Sequence, residues 1–175
     1  MIHTKGVDYM GMIACYQEVN EVTLHRIKKS DDIFEIVEEL QEEDETLLFD
    51  MDKLWDGLHY LLTKRSASAP IDGNPLSEAV VGQDIFSEED EDYIAFITPS
   101  HIAPIVEALE KIDITALLDN MNFQEFARQQ IYPNIWTREE EQEEIREDLK
   151  YSFEGLLSFY QSVLAHGGAV IVSIY

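Results

Sequence analysis

The sequence predicts one α+β domain, a small mixed sheet of three to four strands with about five to seven helices packed on it. Three observations carry this. Short runs at Met10–Val19, Tyr93–Thr98 and Ala169–Tyr175 are apolar on both faces, the composition of strands covered on two sides. Longer stretches between them repeat apolar residues at three- and four-residue steps, the period of a helix face. No internal repeat and no linker divides the 175 residues, a length that buries roughly 70% of its unfolded surface without disulfide or metal.

In chain order, Met1 to Tyr9 reads as an extension, or as the product of an upstream start codon, ahead of the domain at 10–175. The first strand directs Met12, Ala14 and Tyr16 one way and Ile13, Cys15 and Val19 the other. Asn20 to Lys28 fits neither period cleanly. Ser30 to Gln41 is a helix with Ser30 or Asp32 as its cap, Asp32 and Glu35 at capping-box spacing, and a stripe at Ile33, Ile36, Val37 and Leu40. An acidic turn, Glu42 to Glu45, leads to the central element. This is Leu47 to Thr63, LLFDMDKLWDGLHYLLT, expected as one helix with Asp50 as N-cap and Asp52 in its first turn. Met51, Leu54, Trp55, Leu58, Leu61 and Leu62 form its apolar stripe.

Lys64 to Pro75 is a loop by composition, and Pro75 opens a short helix that Gly82 stops. Ser87 to Asp92 is an acidic turn before the second strand. Thr98-Pro99 caps and opens a helix through Lys111, and one or two short helices follow between Asp113 and Gln130. Pro133 ends that region. Thr137 with Glu140 has capping-box spacing for the longest helix, Arg138 to His166, which Gly167-Gly168 terminates before the last strand.

The charge is unusual. Asp and Glu number 36 against 12 Lys and Arg, a formal net charge of −24. That surplus argues against nucleic-acid binding, which runs on clustered Lys and Arg, and equally against anionic membrane surfaces. An acidic surface is steered onto basic partners; equally, it keeps a protein soluble or suits a salty habitat. Cys15 is the single cysteine, so there is no disulfide framework and no cysteine-based zinc site. MIHTKGVDY lacks the apolar core of a signal peptide, and no apolar run approaches a membrane span, so the expected location is the cytoplasm.

Few constellations suggest chemistry. Asp56 and His59, three apart on a helix, pair a carboxylate with an imidazole as general-base catalysis requires, with Trp55 as an apolar wall. The plainer alternative is that both tether the loop that follows. Asp52, Asp56 and His59 together offer a mixed set that zinc or manganese accepts, against the alternative of solvated charge. Asn74-Pro75-Leu76-Ser77 sets polar groups and free N–H donors at a helix start, suited to an anion or merely to closing a turn. Tyr132 and Trp136 bracket Pro133, where aromatics pack a lid more often than they line a ligand site. GxGxxG, P-loop, GxSxG and CxxC motifs are all absent, so no cofactor is expected.

MGMI at Met10, FDMDKLWDGLHYLLT at Phe49, NPLSEAVVG at Asn74 and IYP at Ile131 resemble the YfbM-like family, small bacterial proteins known as a domain of unknown function. The long final helix and closing strand agree in layout. The resemblance implies a compact α+β domain and brings no activity and no catalytic residues. Two positions depart from it: Met1 to Tyr9 precede the usual start at MGM, and Lys64 stands where a glycine often follows LT.

The residues then point first to a non-catalytic binding protein engaging a basic protein partner, inhibitor- or immunity-like. The second expectation is an enzyme or small-ligand binder with a pocket at Trp55, Asp56, His59, Asn74, Ser77 and Tyr132.

Overall fold

A computed structural model describes residues 11–43, 46–88 and 92–175. The expected extension, the start of the first strand and parts of both acidic turns lie outside them. The central strand is the last one, Ala169–Ile174 (β5), buried along its whole length because helices cover both of its faces. Ala14–Val19 (β1) pairs with one side of it and Tyr93–Ile97 (β4) with the other; Leu48–Asp52 (β2) and Asp84–Ile85 (β3) form the edges.

Every adjacent pair is antiparallel. The sheet therefore has five strands in the order β2-β1-β5-β4-β3, where three to four in a mixed arrangement were expected. The two-sided apolar character that suggests parallel strands comes here from helices on both faces. Strand direction is independent of that covering.

The first face carries the larger core. The 25-residue helix Gln142–His166 (α8) lies across it, with Trp55–Thr63 (α3), Pro75–Val81 (α4), Pro99–Glu110 (α5) and the short Ile114–Asp119 (α6) and Phe123–Arg128 (α7). The second face is covered by Glu21–Lys28 (α1) and Ile33–Gln41 (α2), which bury Leu24, Ile27, Val37 and Leu40 against Val19, Ile94, Phe96 and Ile171. Eight α-helices are thus present among the described residues, one more than the upper expectation.

Local signals account for most termini. Asn20 accepts from Thr23 N–H at 2.8 Å and resolves the ambiguous stretch as a helix. Asp32, not Ser30, caps α2 by accepting from Glu35 N–H. Gly167 ends α8 with φ at +69°, a left-handed conformation that glycine adopts without steric cost.

Two expected caps do not form. Thr98 spends its hydroxyl on Gln83, and the segment before α8 enters through a 3-10 turn at Glu139–Glu141 with no side-chain cap.

The largest correction concerns the central stretch. Residues Leu48–Asp52 are extended and pair with β1, so the helix begins only at Trp55. Asp50 is not its N-cap; it accepts from Asp52 N–H at 2.7 Å where the chain turns, with Asp52 at φ +57°. Met51, Trp55, Leu58 and Leu61 are nevertheless buried in one core. The apolar stripe predicts their burial correctly but runs across a strand and a helix.

Candidate functional site

The residues singled out in the sequence converge on the loop between α3 and α4, and their polar groups are turned inward. His59 is fully buried. Its Nδ1 lies 2.7 Å from the carbonyl of Arg65, which only accepts, so this nitrogen carries the proton. Nε2, 2.8 Å from Ser77 Oγ, is then the acceptor and the serine hydroxyl donates to it. Ser77 Oγ in turn accepts from Ile71 N–H at 3.0 Å. Burial holds the imidazole below its ordinary pKa of 6.5, against the opposing pull of the Arg65 carbonyl and the Asp56 charge.

Asp56, 4% exposed, makes no hydrogen bond to His59. One carboxylate oxygen accepts from Ala67 N–H at 2.6 Å and from the Ser66 hydroxyl, and the other from Tyr132 N–H at 2.8 Å. The carboxylate thereby ties α3 to the following loop and to the segment after α7.

Trp55 stacks beside Tyr132 with ring centroids 5.4 Å apart, and both grip the peptide of Met12. The indole donates to Met12 O at 3.1 Å, and Met12 N–H donates to the Tyr132 hydroxyl at 2.7 Å. Gly11 fits beneath this clasp: a Cβ there would meet Tyr132 Oη and the Lys53 side chain. Asn74 caps α4, accepting from Leu76 and Ser77 N–H, so the donors suited to an anion are already engaged. The Trp136 indole donates to Ile131 O and lies over Gly57.

Trp55, Asp56, His59, Ser77 and Tyr132 are therefore brought together as a structural hub, with Asn74 at its rim. Asp52 belongs to β2 and precedes the start of α3 at Trp55, so the helical spacing that would set it beside Asp56 and His59 does not hold. Among the described residues no group of three His, Cys, Asp or Glu side chains is placed to hold a metal ion.

Two features were missed in the sequence. One is an open groove of about 580 Å3 where β1 runs into α1, floored by Val19, Leu40 and Leu47 and edged by Glu18, Glu21, Glu43 and His166. His166 Nδ1 sits 3.0 Å from both oxygens of Glu18. These residues come from β1, α1, α2, α8 and the segment between α2 and β2, so no spacing reveals them. The other is the outer edge of β2, hidden by its reading as helix.

Residues 10–173 match the family described as domain of unknown function DUF1877. The chain belongs to that family. It is similar to protein YfbM of Escherichia coli (strain K12), 26% identical over 171 residues, which span 94% of this chain and 99% of YfbM. The crystal structure of YfbM from Escherichia coli, a protein of unknown function, superimposes with a TM-score of 0.77 over 93% of this chain and 99% of that one. Within the DUF1877 domain, the DMDKLWDGLHYLLT and NPLSEAVVG segments carry the hub, Asp56 and His59 from the first and Ser77 from the second. No helix among the described residues is long and apolar enough to cross a membrane.

Proposed function

We propose that this DUF1877 protein is a non-catalytic binding protein that engages a basic protein partner, in the manner of an inhibitor or immunity protein. The observation that carries it is the surplus of 36 acidic over 12 basic side chains. Glu18, Glu21 and Glu43 around an apolar-floored groove give that charge a shaped surface. Electrostatic complementarity of this kind raises association rates and selects partners by sign.

The hub supports the same conclusion from the other side. His59, Asp56 and Ser77 have the residue types of a catalytic constellation, but each polar atom is spent on a loop or helix start. A small-ligand or catalytic pocket beside Trp55 has less support for that reason.

The test is retention of defined basic proteins on the immobilised chain at low salt and at ~1 M salt, where the Debye length falls to about 3 Å. Retention at low salt is expected, weakened by high salt and by combined Glu18→Gln, Glu21→Gln and Glu43→Gln substitution. Failure to retain a basic protein at either salt overturns the proposal.

A further inference from the structure

We propose that the outer edge of β2 is a docking site for an extended basic segment of the partner, which adds to the sheet as a sixth strand. The proposal rests on the basic-partner function and specifies its mode.

β2 ends the sheet, and among the described residues no strand pairs with its outer side. Glu18 N–H donates to Leu47 O at 2.9 Å, which makes Glu18 and Leu47 a hydrogen-bonded pair. Along an antiparallel ladder such pairs alternate with non-bonded ones. The register Gln17↔Leu48, Tyr16↔Phe49, Cys15↔Asp50 therefore turns the backbone N–H and C=O of Leu48 and Asp50 away from β1, toward the open edge. These are the groups an incoming strand bonds.

The side chains at the same positions specify what enters. α1 and α2 cover the second face over β4, β5 and the far end of β1 but stop short of β2. Leu48 there is 39% exposed and Ile13 38%, and Asp50 and Asp52 are exposed beside them. Leu48 and Asp50 project from this one face, Asp50 opposite Cys15, so an added strand would meet an apolar contact followed by a carboxylate; beyond Asp50 the register shifts by one residue and Asp52 turns with φ +57°.

A second copy of this chain would bring its own Asp50 and the rest of its −24 charge, and like charges facing across a strand pair are destabilising. A segment alternating apolar residues with Lys or Arg sets its cations on this face, toward Asp50, and its apolar residues on the other, beside Phe49, which packs against the larger core.

The experiment uses the whole protein and blocked peptides roughly six residues long: alternating valine and lysine, lysine alone with the same number of charges, and alternating valine and threonine. Affinity is measured by titration, and hydrogen exchange by NMR reports the amides of Leu48 and Asp50. The valine–lysine peptide is expected to bind about tenfold more tightly than either control and to slow exchange at both amides.

Leu48→Pro removes an outward donor without touching the ladder, and is expected to abolish that difference while Phe49 and Glu18 amides remain protected. Asp50→Asn is expected to lower the affinity. Equal binding of polylysine, equal binding of the valine–threonine peptide, or binding without slowed exchange at Leu48 and Asp50 overturns the docking mode. In the first and third cases a basic protein retained elsewhere on the surface leaves the basic-partner function standing. If Leu48→Pro does not fold, the exchange pattern of the unsubstituted protein decides.

Discussion

His59 is held neutral by its surroundings, and this makes stability depend on pH in a defined direction. Its folded pKa is lowered chiefly by burial, while in the unfolded chain it titrates near 6.5. Below that value the unfolded chain binds a proton that the folded protein resists, so the contribution is complete above 6.5 and is lost as pH falls toward the folded pKa. The slope is at most about 1.4 kcal/mol per pH unit. His59→Gln is expected to be less stable than the natural chain at about pH 7, with the gap narrowing toward pH 5. Urea unfolding of both across that range checks it, and a constant gap would remove His59 as the titrating group.

Other residues show the same rule that surroundings, not type, set behaviour. Cys15 is pushed up to about 11, first by burial and then by the charge of Asp50, so its thiol stays protonated at neutral pH. Lys64 ends α3 with φ at +61°, so the left-handed cap forms although a lysine stands where a glycine often follows LT; Lys64 N–H bonds Tyr60 O at 2.8 Å. Gln17 is 1% exposed with both amide atoms lacking a protein partner.

At the scale of elements, α8 sits close to β2 because Gly155 leaves room for Phe49, whose ring edge occupies the space a Cβ would need. Phe49 in turn lies near Tyr16 and Phe159, linking edge strand, inner strand and helix in one aromatic cluster. Gly155→Ala must move the helix or the ring. Overpacking of this kind costs about 1–3 kcal/mol, offset in part by the better helix propensity of alanine. The expected result is a lower denaturation midpoint with an unchanged slope, and an unchanged midpoint would show that the ring gives way freely.

The division of the central stretch into β2 and α3 also belongs to this scale. Its apolar residues satisfy a helical period throughout, and Asp50 has the type of an N-cap. Pairing with β1, more than thirty residues earlier, makes Leu48–Asp52 a strand instead, and Asp50 caps a turn within it. Periodicity within a window cannot register a hydrogen-bonding partner outside it.

At the scale of the molecule, the charge of −24 opposes compaction through self-repulsion. Ion pairs offer little relief, because those formed are mostly exposed and local, as between Lys111 and Glu107. Added salt screens the repulsion, so the thermal midpoint should rise between low salt and ~0.5 M sodium chloride. A thermal melt series in which it stays level or falls would show that the acidic groups are spaced widely enough not to matter. The same repulsion makes a basic partner a stabilising ligand, through binding to the folded state alone.

By itself the sequence determined the fold class, the two-sided covering of β1, β4 and β5, the stop of α8 at Gly167, the acidic surface and the family. Each rests on composition or on neighbours within a turn or two. Only the tertiary structure decided the antiparallel order, the extended conformation of Leu48–Asp52, and the fate of His59, whose nitrogens are taken by Arg65 and Ser77. Those outcomes depend on which distant backbone and side-chain groups meet, and a hydrogen bond is specified by both of its partners rather than by either one.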